Sequence, residues 1–261
     1  MELKISYLPA VVVTFVPKDG DGRPVNVFRP YDAIPLKELE EHAEEQNDRG
    51  SLQELGERYY FGLGVPQDYK RAYGYLLRAA EQDVQDAQFL IAECYRCGHH
   101  VKQDFEQYFQ WLDTAAKNGS WMAMLNLCAA YREGRKAYGG VGPKIDHEQS
   151  YAWSLHAEKT ILGYWAFYTQ PNYVDFHEKK KELLRAYARI THQLAAHCAE
   201  GMGVNRDLNA ALGWLQKGKR FIANATGEIR VPMFDRSIEL MKGRIAKDQA
   251  KRQRKESGGK K

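Results

Sequence analysis

The chain is short of most things that would mark an enzyme, a membrane protein or a disulfide-stapled domain. Only four cysteines occur in 261 residues, namely Cys94, Cys97, Cys128 and Cys198. That is too few for a disulfide scaffold, so reduced, buried thiols are expected. No apolar run reaches the ~18 residues a membrane span needs, so no membrane span is expected. HExxH, GxSxG and GxxxxGK[ST] are all missing, and with them the usual signs of metalloprotease, hydrolase and nucleotide chemistry. Neither sign of charge dominates: 38 Lys/Arg face 34 Asp/Glu, for a net of +4. The reading is therefore non-enzymatic, with no cofactor.

The small excess of positive charge is unevenly placed. Residues 242–261 hold nine Lys/Arg and two acids, which leaves the rest of the chain near −3. Nothing aromatic interleaves with this basic tail, which points away from nucleic acid and towards a solvated end. The stretch from Ile5 to Val16 is apolar, but Pro9 interrupts it, Glu2 precedes it and no small-x-small cleavage site follows. Its β-branched Val11, Val12, Val13, Thr14 and Val16 suit a strand. With the Asp-Gly turn signals of KDGDGRP and the VNVF stretch behind it, residues 1–35 read as a strand-and-turn cap. A cytoplasmic location is expected, and a periplasmic one if a leader preceded Met1.

What is present is a pattern that returns every 36 residues. LGERYYFGLGVPQDYKRAYGYLLRAA at 55–80 is answered by IAECYRCGHHVKQDFEQYFQWLDTAA at 91–116. Gly62, Asp68, Tyr75, Ala79 and Ala80 recur as Gly98, Asp104, Trp111, Ala115 and Ala116. A third unit keeps Tyr131 and Gly134 in step, then reaches Asp146 and Trp153 through a loop six residues longer. A fourth places Gly201, Asp207, Ala211 and Trp214 at an offset of 139 from the first. Periods of ~20–50 residues denote stacked repeats rather than one closed core. Each position has a physical role. The glycines supply the positive φ of a helix-helix turn. The aspartates cap the following helix, and Asp104 with Gln107 and Asp146 with Gln149 have capping-box spacing. The alanines let helices approach, and Tyr75, Trp111, Trp153 and Trp214 fill the gaps between units.

These residues resemble the SEL-one-like repeat family, a relative of the tetratricopeptide repeats, over about residues 50–222. Residues 55–83 follow its pattern LGxxYxxGxGVxxDxxxAxxWxxxAAxxG closely. The resemblance implies a mostly α, right-handed α-solenoid that serves as adaptor or scaffold for other proteins, or as an inhibitor that neutralises a cognate enzyme, such as an immunity protein for a secreted toxin. The departures are Cys94 and His99–His100 in unit two, the longer loop in unit three, and Gly218 where the family has the first of two alanines.

The expected layout is a cap (1–35), a leading helix (36–50, with Gly50 as its stop), four repeats (51–222), a capping helix (223–251) and a disordered basic tail (252–261). An aromatic insert at about 164–178 breaks the third repeat from the fourth. It crowds Tyr164, Trp165, Phe167, Tyr168, Tyr173 and Phe176 into 13 residues. Interface hot spots favour such side chains, so these residues, with Tyr138 of the long loop, are the candidate partner-binding set. CYRCGHH offers Cys94, Cys97 and His99 as weak metal-ligand candidates. The Cys-x₂-Cys pair would put both sulfurs on one helix face, but no second pair exists, and the same positions hold Arg58 and Phe61 in unit one. His192 and His197 lie five apart on a helix, a spacing that shares a face poorly. The partner expected is another protein.

Overall fold

The computed structural model describes residues 11–16, 25–30, 34–170, 177–228 and 230–258, with side chains described for 34–170, 179–228 and 230–255. Strands β1 (Val11–Val16) and β2 (Val25–Pro30) pair antiparallel, with Val11 opposite Pro30 and Val16 opposite Val25. All other regular structure described is helical: α1 (Leu36–Glu45), α2 (Arg49–Phe61), α3 (Tyr69–Ala80), α4 (Gln85–Cys97), α5 (Phe105–Lys117), α6 (Trp121–Glu133), α7 (His147–Tyr168), α8 (His177–Glu200), α9 (Leu208–Thr226) and α10 (Pro232–Gly258), with one 3₁₀ turn at Arg135–Tyr138.

The helices pair as α2/α3, α4/α5, α6/α7 and α8/α9, and one turn design recurs in every pair. The first helix ends on a glycine with φ near +70°: Gly62 (72°), Gly98 (74°), Gly134 (74°) and Gly201 (72°). A side chain there would be strained, which is why glycine holds all four positions. The aspartate that follows then does two things. Its backbone N–H donates to a carbonyl of the first helix: Asp68 to Tyr59, Asp104 to Tyr95, Asp146 to Tyr131 and Asp207 to Cys198, at 2.8–3.0 Å. Its carboxylate accepts from the free amides of the second helix, for example Lys70 and Arg71 N–H at 3.0 Å onto Asp68. In units one, two and four the preceding residue also reaches back, with Gln67 donating to the Tyr60 carbonyl, Gln103 to Arg96 and Arg206 to Ala199. Unit three has Ile145 there, which is 61% exposed and has nothing to donate. Its six extra residues are looped out between the same two partners, Tyr131 and Asp146.

The second unit departs in a way the sequence pattern exposes. His100 stands where the first unit has Gly64, and it adopts the same left-handed conformation, with φ +64° against +71°. For a non-glycine residue that costs roughly 1–2 kcal/mol.

Packing follows the repeat. Ala72, Ala79, Ala115 and Ala157 are fully buried, and Gly56 lies so close to α3 that a Cβ there would sit 2.6 Å from the Leu76 side chain. Three buried clusters run along the array and are stitched by aromatics that belong to two at once. Trp111, Phe89 and Tyr95 join the first to the second, and Trp214 and Tyr151 join the second to the third. The far end is closed by α10. Its Phe234 is fully buried against α9, and a Cβ on Gly218 would lie 2.5 Å from the Phe234 ring. Gly218 departs from the repeat alanine because the capping helix needs that volume.

Several boundaries differ from the sequence reading. The leading helix stops at Glu45, and Gly50 is a buried residue of α2 rather than a stop, because Asp48 caps a new helix by accepting from Ser51 N–H at 2.7 Å. Residues 164–168, the first part of the aromatic insert, are helical and form the end of the 22-residue α7. Helix α9 runs to Thr226, and α10 continues through the start of the supposed disordered tail to Gly258. An Asp248–Arg252 pair at i,i+4 supports that extension, as does a run of good helix formers.

Two substitutions test this packing. Trp111→Ala removes a side chain shared by two clusters, so the apparent melting temperature should fall by several degrees, from a loss of about 2–4 kcal/mol. A shift under about a degree in circular-dichroism melts would contradict the seam. Gly218→Ala separates two effects: helix propensity alone favours alanine by about 1 kcal/mol, whereas overpacking against Phe234 costs about 1–3 kcal/mol. Destabilisation is expected, and a stabilised variant would show that α10 does not seat there.

Candidate interaction surface

Successive first helices touch, α2 with α4 and α4 with α6, more closely than successive second helices do. The first helices of units one to three therefore share one side of the array, its inner side here. Helices α7 and α8 are the longest of the paired helices, and their extra turns lie against this inner side. Gln85 Nε2, at the start of α4, donates to the Tyr164 hydroxyl at 2.8 Å. Lys179, early in α8, lies 4.0 Å from Glu57 of α2. The Lys179 ammonium, 46% exposed, stands among Glu57, Asp86 and Glu182, and the nearby Glu57 carboxylate raises its pKa most. Desolvation, opposed by Lys179 and reinforced by Glu57 and Glu182, pushes Asp86 up to about 6.

This arrangement places the candidate partner-binding residues differently from one another. Trp165 is half-buried and meets Phe221 of α9 edge-on, at 5.3 Å between centroids. Phe167 is half-buried beside Tyr168. Tyr168 is only 5% exposed and belongs to the central cluster, which corrects its reading as a partner contact. Tyr173 and Phe176 lie outside the described residues. Tyr138 is half-buried, held by Phe105, Tyr108 and Phe109 at 5.1–6.1 Å, and Gly142 lets the loop close over Phe109.

The CYRCGHH residues do not converge. Cys94 is fully buried, where desolvation pushes its thiol up to about 12, while Cys97 is exposed. His99 stacks on Tyr69 at 4.0 Å and places Nδ1 3.2 Å from the Tyr60 hydroxyl. Among the described residues no three His, Cys, Asp or Glu side chains are grouped to hold a metal.

A cleft of about 310 Å³ opens between α6 and α8. Arg132 comes from one wall, and Arg189, His192, Gln193 and His197 from the other. Although five apart, the two histidines line the same cleft, with different environments. His192 is half-buried against α10, with Nδ1 2.9 Å from the Ala188 carbonyl, Nε2 3.2 Å from Ser237 Oγ and its ring 4.3 Å from Phe234. His197 is buried. Its Nδ1 lies 2.7 Å from the Met202 carbonyl, which can only accept, so Nδ1 carries the proton. Its Nε2 lies 3.2 Å from Ser150 Oγ of α7. Ser150 Oγ also lies 2.9 Å from the Cys128 carbonyl, so its single hydrogen is shared between these two acceptors, and Gln193 donates to Cys128 Sγ. The Ser-His contact resembles a hydrolytic dyad, but Ser150 is fully buried, so it ties unit three to unit four. Sequence spacing gives no warning of it, since the partners are 47 residues apart.

With this geometry in place, the class is clear: an α-solenoid built of helix-pair repeats. A family profile, "Sel1 repeat", matches residues 51–84, 85–120, 121–155 and 191–220, just over half of the chain. The chain belongs to the Sel1 repeat family, whose repeats are in general protein–protein interaction modules without catalytic activity. Among solved structures it is similar to c5321, a protective antigen of uropathogenic Escherichia coli strains with an SLR fold, at 23% identity and TM-score 0.44 over 72% of this chain and 41% of that one. It is also similar to a Sel1 repeat protein from Oxalobacter formigenes, at 22% identity and TM-score 0.41 over 68% and 75%. The chain thus spans less than half the length of the antigen. No curated protein matches it significantly. No helix among the described residues is long and apolar enough to cross a membrane.

Burial, first of all, lowers the pKa of His197, with the charges of His147 and Arg132 adding to the effect against the Met202 carbonyl. The folded state thus resists a proton that the unfolded chain accepts near pH 6.5. Stability should be intact above that value and fall as pH drops below it. Urea midpoints of wild type and His197→Gln between pH 7.5 and 5.5 should converge as the pH falls. A constant difference would contradict the buried neutral ring.

Proposed function

We propose that this chain is a non-enzymatic adaptor or scaffold whose solenoid, right-handed like that of the family it resembles, holds another protein. The observation that carries the reading is the array itself: four helix pairs locked by one turn design, with the first helices lining a common inner side. Burial of Ser150, Cys94 and Cys128 supports a non-catalytic role, because these reactive groups serve packing. We place the contact residues at the two departures from the repeat, Tyr138 in the unit-three loop and Trp165 and Phe167 at the end of α7, with Tyr173 and Phe176 beyond it. Helix α10 caps the last repeat, and the protein works in the cytoplasm.

One observation favours a second reading, an inhibitor or immunity protein with a single cognate enzyme. The Tyr138 loop is fixed by three aromatic rings before any partner arrives. Such preorganisation suits one tight partner more than several weak ones.

Affinity capture of the tagged chain from its own cells, with mass spectrometry after a salt wash, separates these. Several sub-stoichiometric proteins of one pathway fit the scaffold, with capture reduced by Trp165→Ala. One stoichiometric enzyme fits the inhibitor, and an empty eluate contradicts both.

A further inference from the structure

We propose that the cleft between α6 and α8 seats a carboxylate from an acidic, extended segment of a partner protein, clasped between Arg132 and Arg189. This deepens the protein-interaction reading and rests on it.

The cleft sits where the regular array is interrupted. The family profile stops at residue 155 and resumes at 191. Helices α2, α4 and α6 follow one another in contact, but α8 arrives after the long α7 and is tied to α6 through Gln193 and Cys128. The space left beside that tie is the cleft. Its lining contains no Asp or Glu, and it brings two guanidinium groups in from opposite walls.

The cleft arginines differ from those cations that are matched by an acid, such as Arg58 with Glu54, Arg78 with Glu44, Arg96 with Glu93 and Lys217 with Glu158. Arg189 and Arg185, one turn apart and both exposed on α8, have no ion pair among the described residues. Arg132 bonds only its neighbour Glu133, at 3.0 Å and 40% exposed, a surface pair worth about 0–1 kcal/mol that a better anion can displace. The histidine nitrogens are already engaged, so the groups left to a ligand are guanidinium donors, whose planar fork matches a carboxylate. Ala129 and Ala196 leave room for a backbone to approach, and the volume suits one or two side chains rather than a folded surface.

The test uses the full chain and a fluorescein-labelled octapeptide of alternating Glu and Gly, read by anisotropy beside its Lys-Gly counterpart. Saturable binding of the Glu peptide alone is expected, weakening as salt rises. Arg189→Glu should weaken it about tenfold or more with an unchanged melting temperature, Arg132→Ala should weaken it too, and Lys251→Glu on α10 should not. Equal binding of both peptides, or no loss in Arg189→Glu, would overturn the proposal, as would tighter binding of a single-stranded oligonucleotide. Capture of the cellular partner by Arg189→Glu distinguishes the levels. A partner retained in full overturns this site and leaves the interaction reading standing, whereas wild type that captures nothing defeats the reading beneath it.

Discussion

The structure depends on one backbone hydrogen bond repeated four times, from the amide of an aspartate back to a carbonyl of the preceding helix. It closes each turn at 2.8–3.0 Å and sets the angle between the helices of a pair. The glycine before it makes the reversal possible, and the carboxylate of the same aspartate then satisfies the free amides of the next helix. With the angle fixed, the alanine faces meet and the aromatic residue of each unit fills the seam to the next. The bond tolerates six extra residues in unit three because it constrains only the ends of the loop. It also explains how His100 can be held in a glycine conformation, since the closed turn leaves it no other.

The proposed contact surfaces lie where this regularity fails. Units one to three stack without interruption, and then α7 and α8 overrun the repeat length. Their extra turns fold against the inner side, burying Tyr168 and bringing Lys179 to Glu57. The same displacement leaves a gap between α6 and α8, faced by Arg132 and Arg189. The far end is adjusted in turn: Gly218 gives up the repeat alanine so that Phe234 of α10 can close the core. Regular units supply rigidity, and departures supply surface.

The repeat was legible because its signals are local. Glycine at a left-handed position, aspartate at a cap and alanine at a close approach each act within a few residues, and their recurrence at 36 makes them unmistakable. The start of α2 was legible in principle through Asp48, but the acidic run before it masks the break. The aromatic string at 164–168 misleads because density of Tyr and Trp says nothing of which way a helix turns them. The Gln85–Tyr164 bond spans 79 residues, and Ser150–His197 spans 47. Such pairings, like the cleft between α6 and α8, follow from how units stack and leave no mark on any short stretch of sequence.

Amide hydrogen exchange of the intact chain tests the central claim most directly, read at the N–H groups of Asp68, Asp104, Asp146 and Asp207. The account predicts that all four are protected to the level of the adjoining helices, although each lies in a turn. Exchange at the rate of open loop amides would show that the turns are not locked and that the array is held by side-chain packing alone.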